Sequence, residues 1–351
     1  MASPLRTQLL ASLTGQKLCV PDLCTLFEHW PQAVNPVLDP LNLTVPDILR
    51  SFTSSPRKLA KLNKAEFGLF AASWWPTANL YRARIVACLA IWLFIWDDEI
   101  DAEVGALSGN FNQAQDYRNE TIRWIQYCLR LSSESCPTPS NPIIGFFKVI
   151  GDAVCESSSL PQRETLLKEL ELFMETSELE QRRRLSPALP SLEEYVNCRM
   201  GTSAVNVTTW FNEFVEGVAL PTEVMEDPDM RCIWHECNVI VWAVNDLLSL
   251  KKEIEQQTVD SLVPLLYHQV GNLDAAVAMI FEAVQQCVAR FDDAAERLQL
   301  KHAHDAALAR DLQRFVDACR YNCTGNLHWS LRTGRYGVCQ KSIAGGVTVQ
   351  L

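Results

Sequence analysis

The chain has 351 residues, of which 48% are hydrophobic and only 14 are glycine, so it carries enough apolar material for one large core. Its 31 basic and 42 acidic residues give a formal net charge of −11, which argues against a nucleic-acid or anionic-membrane binder. The 13 cysteines include no Cys-x-x-Cys pair, and Cys319, Cys323 and His328 lack a fourth partner for zinc. We therefore expect reduced thiols in a cytoplasmic protein.

The beginning of the chain does not have the pattern of a signal peptide. Residues 1–21 lack a continuous apolar region after a basic start, which predicts that no signal peptide is present. We expect residues 1–20 to form a loosely held tail.

The first strong helical pattern covers residues 76–101, with Pro76 in the first turn. The stretch 86–96 is apolar on all sides, which predicts a central helix surrounded by neighbours. The longest apolar run, residues 85–96, has 12 residues, whereas a bilayer span needs roughly 20. We therefore expect no membrane span.

Helical start signals then follow along the chain, after a loop at residues 132–142. Ser191 and Glu194 have the spacing of a capping box, and Asp227 precedes a proline, as at many helix starts. We predict helices over residues 161–184, from 191, from 227 to about 255, from 272 and over 305–333. No strict alternation and no fixed repeat is present. These patterns predict one all-α domain over residues 21–338 and a loosely held tail over 339–351.

An acidic cluster closes the apolar helix: Asp97, Asp98, Glu99 and Asp101. At about 100° per residue, Asp97 and Asp101 share one face, whereas Glu99 points the other way. Two stacked carboxylates repel each other unless a cation lies between them, and oxygen ligands with room for water suit Mg²⁺. The alternative is an exposed acidic helix end. The apolar residues before the cluster favour carboxylates at the mouth of a core.

A second set of polar residues follows on a later helix. Asn245, Ser249 and Glu253 are spaced by four, which keeps them on one helical face. An amide oxygen, a hydroxyl and a carboxylate on one stripe suit a hard cation. Polar residues at this spacing often simply face water, but the preceding residues, 239–244, are apolar.

Together these motifs resemble those of the class I terpene synthases. The Asp-Asp-x-x-Asp cluster precedes Asn-x-x-x-Ser-x-x-x-Glu by 148 residues, and Arg335-Tyr336 follows Glu253 by 82. Arg199 lies 46 residues before Asn245, where this family keeps an arginine that senses pyrophosphate. Residues 29–36 also look like the start of fungal sesquiterpene cyclases. The match extends from about residue 25 to residue 337.

The resemblance implies an all-α, single-domain helical bundle of the isoprenoid synthase type around a central apolar cavity. It implies a magnesium-dependent enzyme, with manganese as a substitute metal, that cyclises farnesyl diphosphate to a sesquiterpene hydrocarbon or alcohol and releases pyrophosphate. A monomer or a homodimer fits the family. The alternatives are a cyclase of a C20 diphosphate, a chain-elongating prenyltransferase and a non-catalytic helical binding or scaffold protein. A prenyltransferase would need a second aspartate-rich motif in place of the Asn245 set.

The resemblance also assigns roles to single residues. Three magnesium ions would be held by Asp97, Asp101, Asn245, Ser249 and Glu253. Hydrogen bonds to the diphosphate would come from Arg199, Lys252, Arg335 and Tyr336. Asp98 would pair with Arg335 when the site closes. Cations aimed at a departing pyrophosphate stabilise the transition state of ionisation.

The remaining cavity should be apolar, because water would quench an allyl cation and aromatic faces stabilise positive charge. Candidates for its wall are Phe70, Trp75, Phe94, Phe173 and Trp329, although aromatic residues are often plain core. In related cyclases the helix of the sensing arginine breaks and aims a backbone carbonyl at the substrate. The corresponding segment here is residues 200–204, where Gly201 weakens the helix. Thr202 and Ser203 replace the acid-glycine pair of some bacterial relatives.

Two charged segments look like functional motifs but have simpler interpretations. Residues 292–296, Asp-Asp-Ala-Ala-Glu, mimic a metal motif but lie among ordinary surface charges. Residues 182–184 are three consecutive arginines, for which a solvated helix end is the simplest interpretation and a contact with pyrophosphate the alternative. The net acidity disfavours nucleic acid as their partner.

Overall fold

The structure, a computed structural model, describes residues 4–100, 105–133, 136–338 and 345–351. Its α-helices are α1 Pro4–Leu13, α2 Leu38–Phe52, α3 Pro56–Asn63, α4 Phe67–Trp74, α5 Leu80–Asp98, α6 Phe111–Cys128, α7 Pro142–Ser157, α8 Leu160–Leu185, α9 Leu192–Thr202, α10 Val205–Glu216, α11 Thr222–Met225, α12 Pro228–Glu255, α13 Leu262–Val270, α14 Leu273–His302 and α15 Ala306–Arg332. A 3-10 helix covers Leu23–Phe27, and two short strands, β1 Lys17–Val20 and β2 Val347–Gln350, pair with each other. The predicted helical fold is confirmed.

Helix α5 lies at the centre of the fold because its residues are apolar on almost every side. Its side chains are buried from residue 83 to residue 96 with few exceptions, and α4 and α7 pack beside it. The helix begins later than predicted. Asn79 caps it by accepting a hydrogen bond from the backbone N–H of Arg82 at 2.9 Å, and Pro76 lies in the turn before the cap.

The predicted start signals of four later helices are confirmed. The Ser191 hydroxyl accepts from the backbone N–H of Glu194 at 3.2 Å, and the Glu194 carboxylate accepts from the backbone N–H of Ser191 at 2.8 Å. Asp227, Asn272 and Asp305 cap α12, α14 and α15, each through a side-chain oxygen. Each cap satisfies N–H groups that have no partner inside the helix.

The helix that carries Arg199 breaks within the predicted segment. Helix α9 ends at Thr202 and α10 begins at Val205, with Ala204 in the left-handed region at a φ of 54°. Gly201 has a role that the sequence did not predict. A Cβ atom there would lie 2.2 Å from Thr176 Oγ1, so the glycine permits the close approach of α8 to α9.

Both ends of the chain are more ordered than predicted. Helix α1 buries Leu13, and β1 pairs antiparallel with β2. Leu18 and Val20 bury one face of β1, but an alternation over four residues is too short to predict a strand. The rest of the two predicted tails, residues 1–3 and 339–344, lies outside the described part of the chain.

Two other expectations concern membranes and zinc. Within the described ranges, none of the helices combines the length and the apolarity that a bilayer-spanning segment requires. Cys319 and Cys323 are buried in the core beside Cys237, with 3.7 Å between the sulfur atoms of Cys237 and Cys323. Their surroundings are those of small core side chains.

Candidate active site

A cavity of about 630 Å³ brings together residues from α4, α5, α8, α9, α12 and α15. Its polar lining includes Asp97, Arg199, Asn245, Asp246, Ser249, Lys252, Glu253, Arg335 and Tyr336. Its apolar lining includes Phe70, Trp74, Leu93, Phe94, Phe173, Val241, Trp242 and Trp329. The motifs that are far apart in sequence therefore meet at one site.

Helix α5 delivers the acidic cluster to this cavity at its C-terminal end. Asp97 lines the cavity, whereas the Asp98 carboxylate accepts a hydrogen bond from Arg335 at 3.2 Å. The Arg335 guanidinium also lies over the ring of Phe94, with 4.8 Å between its Cζ and the ring centroid. A charge and a ring face thus hold Arg335 against the end of α5. Asp101 lies outside the described residues, so its place on the face of Asp97 stays a prediction.

Two side chains of α8 bind backbone carbonyls near the acidic cluster. Arg184 donates to the carbonyl of Ile100 at 2.7 Å, and Gln181 donates to the carbonyl of Leu107 at 3.0 Å. Gln181 in turn accepts from Arg118 of α6 at 2.7 Å. Burial lowers the pKa of Arg118 to about 10. Two residues of the arginine run, Arg183 and Arg184, line the cavity, and Arg184 also supports its acidic side.

Helix α12 turns Asn245, Ser249 and Glu253 towards the cavity. The Ser249 hydroxyl donates to one Glu253 carboxylate oxygen at 2.5 Å, and Ser261 donates to the other at 2.6 Å. Burial, and after it the charge of Asp246, raises the pKa of Glu253, although the two hydrogen bonds lower it. A partly buried carboxylate near another acid is a group that a cation would stabilise.

Arg199 is positioned by Asp246, which the sequence analysis did not single out. The Arg199 guanidinium donates to the Asp246 carboxylate at 3.0 Å and to the side-chain oxygen of Asn245 at 2.9 Å. Tyr195, one helical turn before Arg199, donates a hydrogen bond from its hydroxyl to the same carboxylate. Burial alone would lower the pKa of Arg199, but the charge of Asp246 raises it above its ordinary value, so the guanidinium stays charged.

The signals for these two partners were present but weak. Asp246 is an acidic residue directly after Asn245 on a largely apolar helix, and Tyr195 shares a helical face with Arg199 by the spacing of four. Neither signal indicates that Asp246 on α12 contacts Tyr195 and Arg199 on α9.

Arg335 and Tyr336 connect the two sides of the cavity. The Tyr336 hydroxyl accepts from the Asn245 amide on α12 at 2.7 Å, while Arg335 contacts Asp98 at the end of α5. Burial raises the pKa of Tyr336 to about 12, so its hydroxyl keeps its proton and can donate to an anion. The pair therefore links the acidic cluster to Asn245 of α12.

Aromatic side chains form much of the apolar wall. Phe70, Phe94 and Trp329 contact one another, with ring centroids 5.0 to 5.8 Å apart. The indole N–H of Trp329 donates to the carbonyl of Ala65 at 2.7 Å, so its polar atom is satisfied by the backbone. Phe173 reaches the cavity from α8.

Trp75 differs from the prediction that it belongs to this wall. It is buried in the core, where its indole N–H donates to Asn212 at 2.9 Å. Helix α4 ends at Trp74, and it is this neighbouring tryptophan that lines the cavity. Which of the two tryptophans lines the cavity depends on the course of the backbone at the end of α4, and the sequence does not reveal that course.

The break between α9 and α10 lines the cavity through Thr202, Ser203 and Ala204. Asn238 of α12 holds the break, because it accepts from the Ser203 hydroxyl at 2.8 Å and donates to the carbonyl of Met200 at 2.8 Å. Asn238 is fully buried. The course of the backbone at this wall is therefore fixed by a side chain from the neighbouring helix.

Asp292, in the segment 292–296, binds side chains of other elements. Asp292 accepts from the indole N–H of Trp30 at 3.0 Å and from Arg320 at 2.9 Å, and it also contacts His29. This network ties the entry segment, residues 29–36, to α14 and α15.

The residues around the polar end of the cavity fit a magnesium site. Asp97, Asn245, Ser249 and Glu253 offer only oxygen ligands, which Mg²⁺ prefers, and the cavity leaves room for water. Among the described residues, no three His, Cys, Asp or Glu side chains gather as a metal site. The set on α12 contains a single carboxylate beside an amide and a hydroxyl, and the last two are not among those four residue types.

Comparisons with known proteins are in line with this geometry. The family model described as terpene synthase family 2, C-terminal metal binding, matches residues 88–290. The sesquiterpene cyclase hepA of Aspergillus oryzae is 33% identical over 95% of this chain and 92% of its own length. The terpene cyclase braA of Annulohypoxylon truncatum is 26% identical over 94% of this chain and 89% of its own. The linalool/nerolidol synthase of Streptomyces clavuligerus has the same fold, with a TM-score of 0.74, 18% identity and coverage of 86% of this chain and 98% of that one.

Proposed function

The chain belongs to terpene synthase family 2 and is a terpene cyclase, and from that premise we propose that it uses magnesium to ionise farnesyl diphosphate and cyclises the resulting cation to a sesquiterpene. The sesquiterpene cyclase of Aspergillus oryzae supports the C15 substrate, because the two chains match over nearly their whole lengths. The roles of the individual ligands are part of the same proposal.

One observation carries the proposal: two sets of oxygen ligands from different helices line the same cavity. Asp97 comes from α5, and Asn245, Ser249 and Glu253 come from α12. These residues hold magnesium ions, which supply positive charge to the diphosphate oxygens when they are bound. Asp101 lies outside the described residues and is included in the proposal on its sequence spacing alone.

Four side chains donate hydrogen bonds to the diphosphate: Arg199, Lys252, Arg335 and Tyr336. Asp246 and Asp98 orient the two guanidinium groups, whose planar forks fit pairs of phosphate oxygens. Negative charge grows on these oxygens as the carbon–oxygen bond breaks. The donors therefore interact more strongly with the transition state than with the bound substrate, which accelerates ionisation.

The apolar end of the cavity then shapes the cation. Phe70, Phe94 and Trp329 line this end, and aromatic rings stabilise passing positive charge without reacting with it. A cavity of about 630 Å³ accommodates a C15 diphosphate within the usual range for ligand sites. Apolar walls also exclude water, which would capture the cation before ring closure.

The break between α9 and α10 supplies backbone carbonyl oxygens, whose partial negative charge can stabilise the cation. The carbonyl of Met200 is engaged by Asn238, and that of Gly201 accepts from the backbone N–H of Ala204 at 2.9 Å. We assign the role of electron-rich partner for the cation to the next two carbonyls, those of Thr202 and Ser203, whose residues line the cavity.

Substrate assays test the proposal directly. Purified protein is incubated with C10, C15 and C20 diphosphates, with magnesium or with a chelator, and pyrophosphate and volatile products are measured. We expect pyrophosphate release and cyclic C15 products only when farnesyl diphosphate and magnesium are both present. Turnover of the C20 substrate alone would overturn the C15 assignment. A requirement for a second, isoprenyl co-substrate would indicate chain elongation instead.

A further inference from the structure

We propose that Arg6, on helix α1, is a positioning residue for the diphosphate end of the cavity. It fixes two segments, one between α12 and α13 and one between α8 and α9, that support the metal and diphosphate ligands. The inference rests on the proposed function, because it concerns the ligands assigned there. The sequence predicts only a loosely held tail at this position.

The Arg6 side chain engages acceptors on both segments. Its Nε donates to the two carboxylate oxygens of Asp260 at 2.9 and 3.0 Å. Its Nη1 donates to the carbonyl of Ser186 at 2.5 Å, and its Nη2 donates to the carbonyls of Arg183 and Ala188 at 3.2 and 2.9 Å. The side chain is 10% exposed and lies at the wall of the cavity. All three guanidinium nitrogens are thus committed to holding the chain.

The segment between α12 and α13 supports two acidic groups of the site. Ser261 donates to the Glu253 carboxylate at 2.6 Å. The backbone N–H of Leu262 donates to the Asp246 carboxylate at 3.4 Å, and Asp246 orients Arg199. A shift of this segment would therefore displace a proposed metal ligand and a proposed diphosphate donor together.

The segment between α8 and α9 is coupled to the other side of the cavity. The carbonyl of Arg183 accepts from Arg6, and the Arg183 side chain donates to the carbonyl of Glu194 in α9 at 2.5 Å. The next residue, Arg184, donates to the carbonyl of Ile100, within the acidic cluster. The arginine of α1 thus joins the supports of both ligand sets.

Only a planar fork can make this set of contacts, because the acceptors lie in several directions around one guanidinium. A lysine has one nitrogen and can replace the charge near Asp260 but not the bonds to the three carbonyls. Helix α1 is also anchored by Leu9 and Leu13, which are buried, and just after the helix Gln16 donates to the Tyr267 hydroxyl at 3.0 Å. Loss of Arg6 should therefore loosen the two segments without detaching α1.

The test compares Arg6→Lys and Arg6→Ala with the control Arg50→Ala. Arg50 is an exposed arginine of α2 that pairs with Asp47, so it matches the change in charge away from the cavity. Pyrophosphate release is measured against magnesium and against substrate, and the melting temperature and the share of uncyclised alcohol are recorded for each variant. We expect the magnesium concentration for half-maximal rate to rise about tenfold in both Arg6 variants, as is typical when a support of a metal ligand is lost.

Further results follow from the same reasoning. The share of uncyclised alcohol should increase in both Arg6 variants, because displacement of the two segments admits water to the cavity. Arg50→Ala should behave as wild type. Addition of Asp260→Asn to Arg6→Ala should cause little further loss, since both residues act through one contact. Wild-type magnesium dependence and product pattern in Arg6→Lys and Arg6→Ala would overturn the inference, as would a loss that matches only the unfolded fraction. Failure of the proposed function is distinguishable, because the wild-type protein itself would then release no pyrophosphate.

Discussion

Replacement of Asp246 by asparagine removes one buried charge and almost no volume. Asp246 is 1% exposed, and its carboxylate accepts from Arg199, from the Tyr195 hydroxyl and from the backbone N–H of Leu262. Removal of one partner of a buried ion pair costs roughly 3–5 kcal/mol. Arg199 keeps its hydrogen bond to Asn245 and is 18% exposed, so we expect a smaller loss, about 2–3 kcal/mol in the free energy of unfolding.

The same substitution should slow the reaction, because Arg199 is no longer held towards the diphosphate. A loss of about 2 kcal/mol in transition-state stabilisation corresponds to roughly a 30-fold fall in kcat/KM. Pyrophosphate release measures the fall, and urea unfolding measures stability. The matched control is Asp292→Asn, which weakens an ion pair with Arg320 outside the cavity and should affect stability alone. If Asp246→Asn lost stability but kept wild-type kcat/KM, the proposed role of Asp246 in orienting Arg199 would be refuted.

Three further substitutions probe other parts of the structure. The double variant Asn245→Ala, Ser249→Ala should lose magnesium-dependent turnover and keep its helical circular dichroism; full activity would contradict the metal assignment. Gly201→Ala should destabilise the protein by about 1–3 kcal/mol in urea unfolding, because its Cβ would meet the side chain of Thr176 on α8. Glu253 has a raised pKa in the folded, metal-free protein, so the folded state binds its proton more tightly and stability falls as pH rises from the ordinary carboxyl pKa through the raised one. In a chelator, Glu253→Gln should remove this fall above the ordinary carboxyl pKa and be the more stable protein once Glu253 would be ionised; an unchanged pH profile would contradict the shift.

Local features of the fold could be predicted because their chemistry lies within a few residues. The capping box at Ser191 and the cap at Asp227 are each completed within three positions, and both are present in the structure. The spacing of Asn245, Ser249 and Glu253 likewise determines their common helical face. These residues line the cavity together, and their role as metal ligands remains a prediction.

Other features depend on which helices become neighbours, and short sequence patterns do not contain that information. Arg6 and Asp260 are 254 positions apart, so nothing near either residue indicates the other. The pairing of β1 with β2 joins opposite ends of the chain through strands of four residues each, too short for a visible alternation. Trp74 and Trp75 have the same composition signal, and only the end of α4 decides which one reaches the cavity.

The kink between α9 and α10 owes its shape to an amide on a different helix. Asn238 touches Ser203 and Met200 but does not line the cavity, so it would tune the wall without meeting the hydrocarbon. Product selectivity in this enzyme can therefore evolve, or be engineered, from positions hidden one layer away. Asn238 also donates to Asn206 at 3.0 Å, so substitutions at these two positions would reach the wall without changing a residue that lines the cavity.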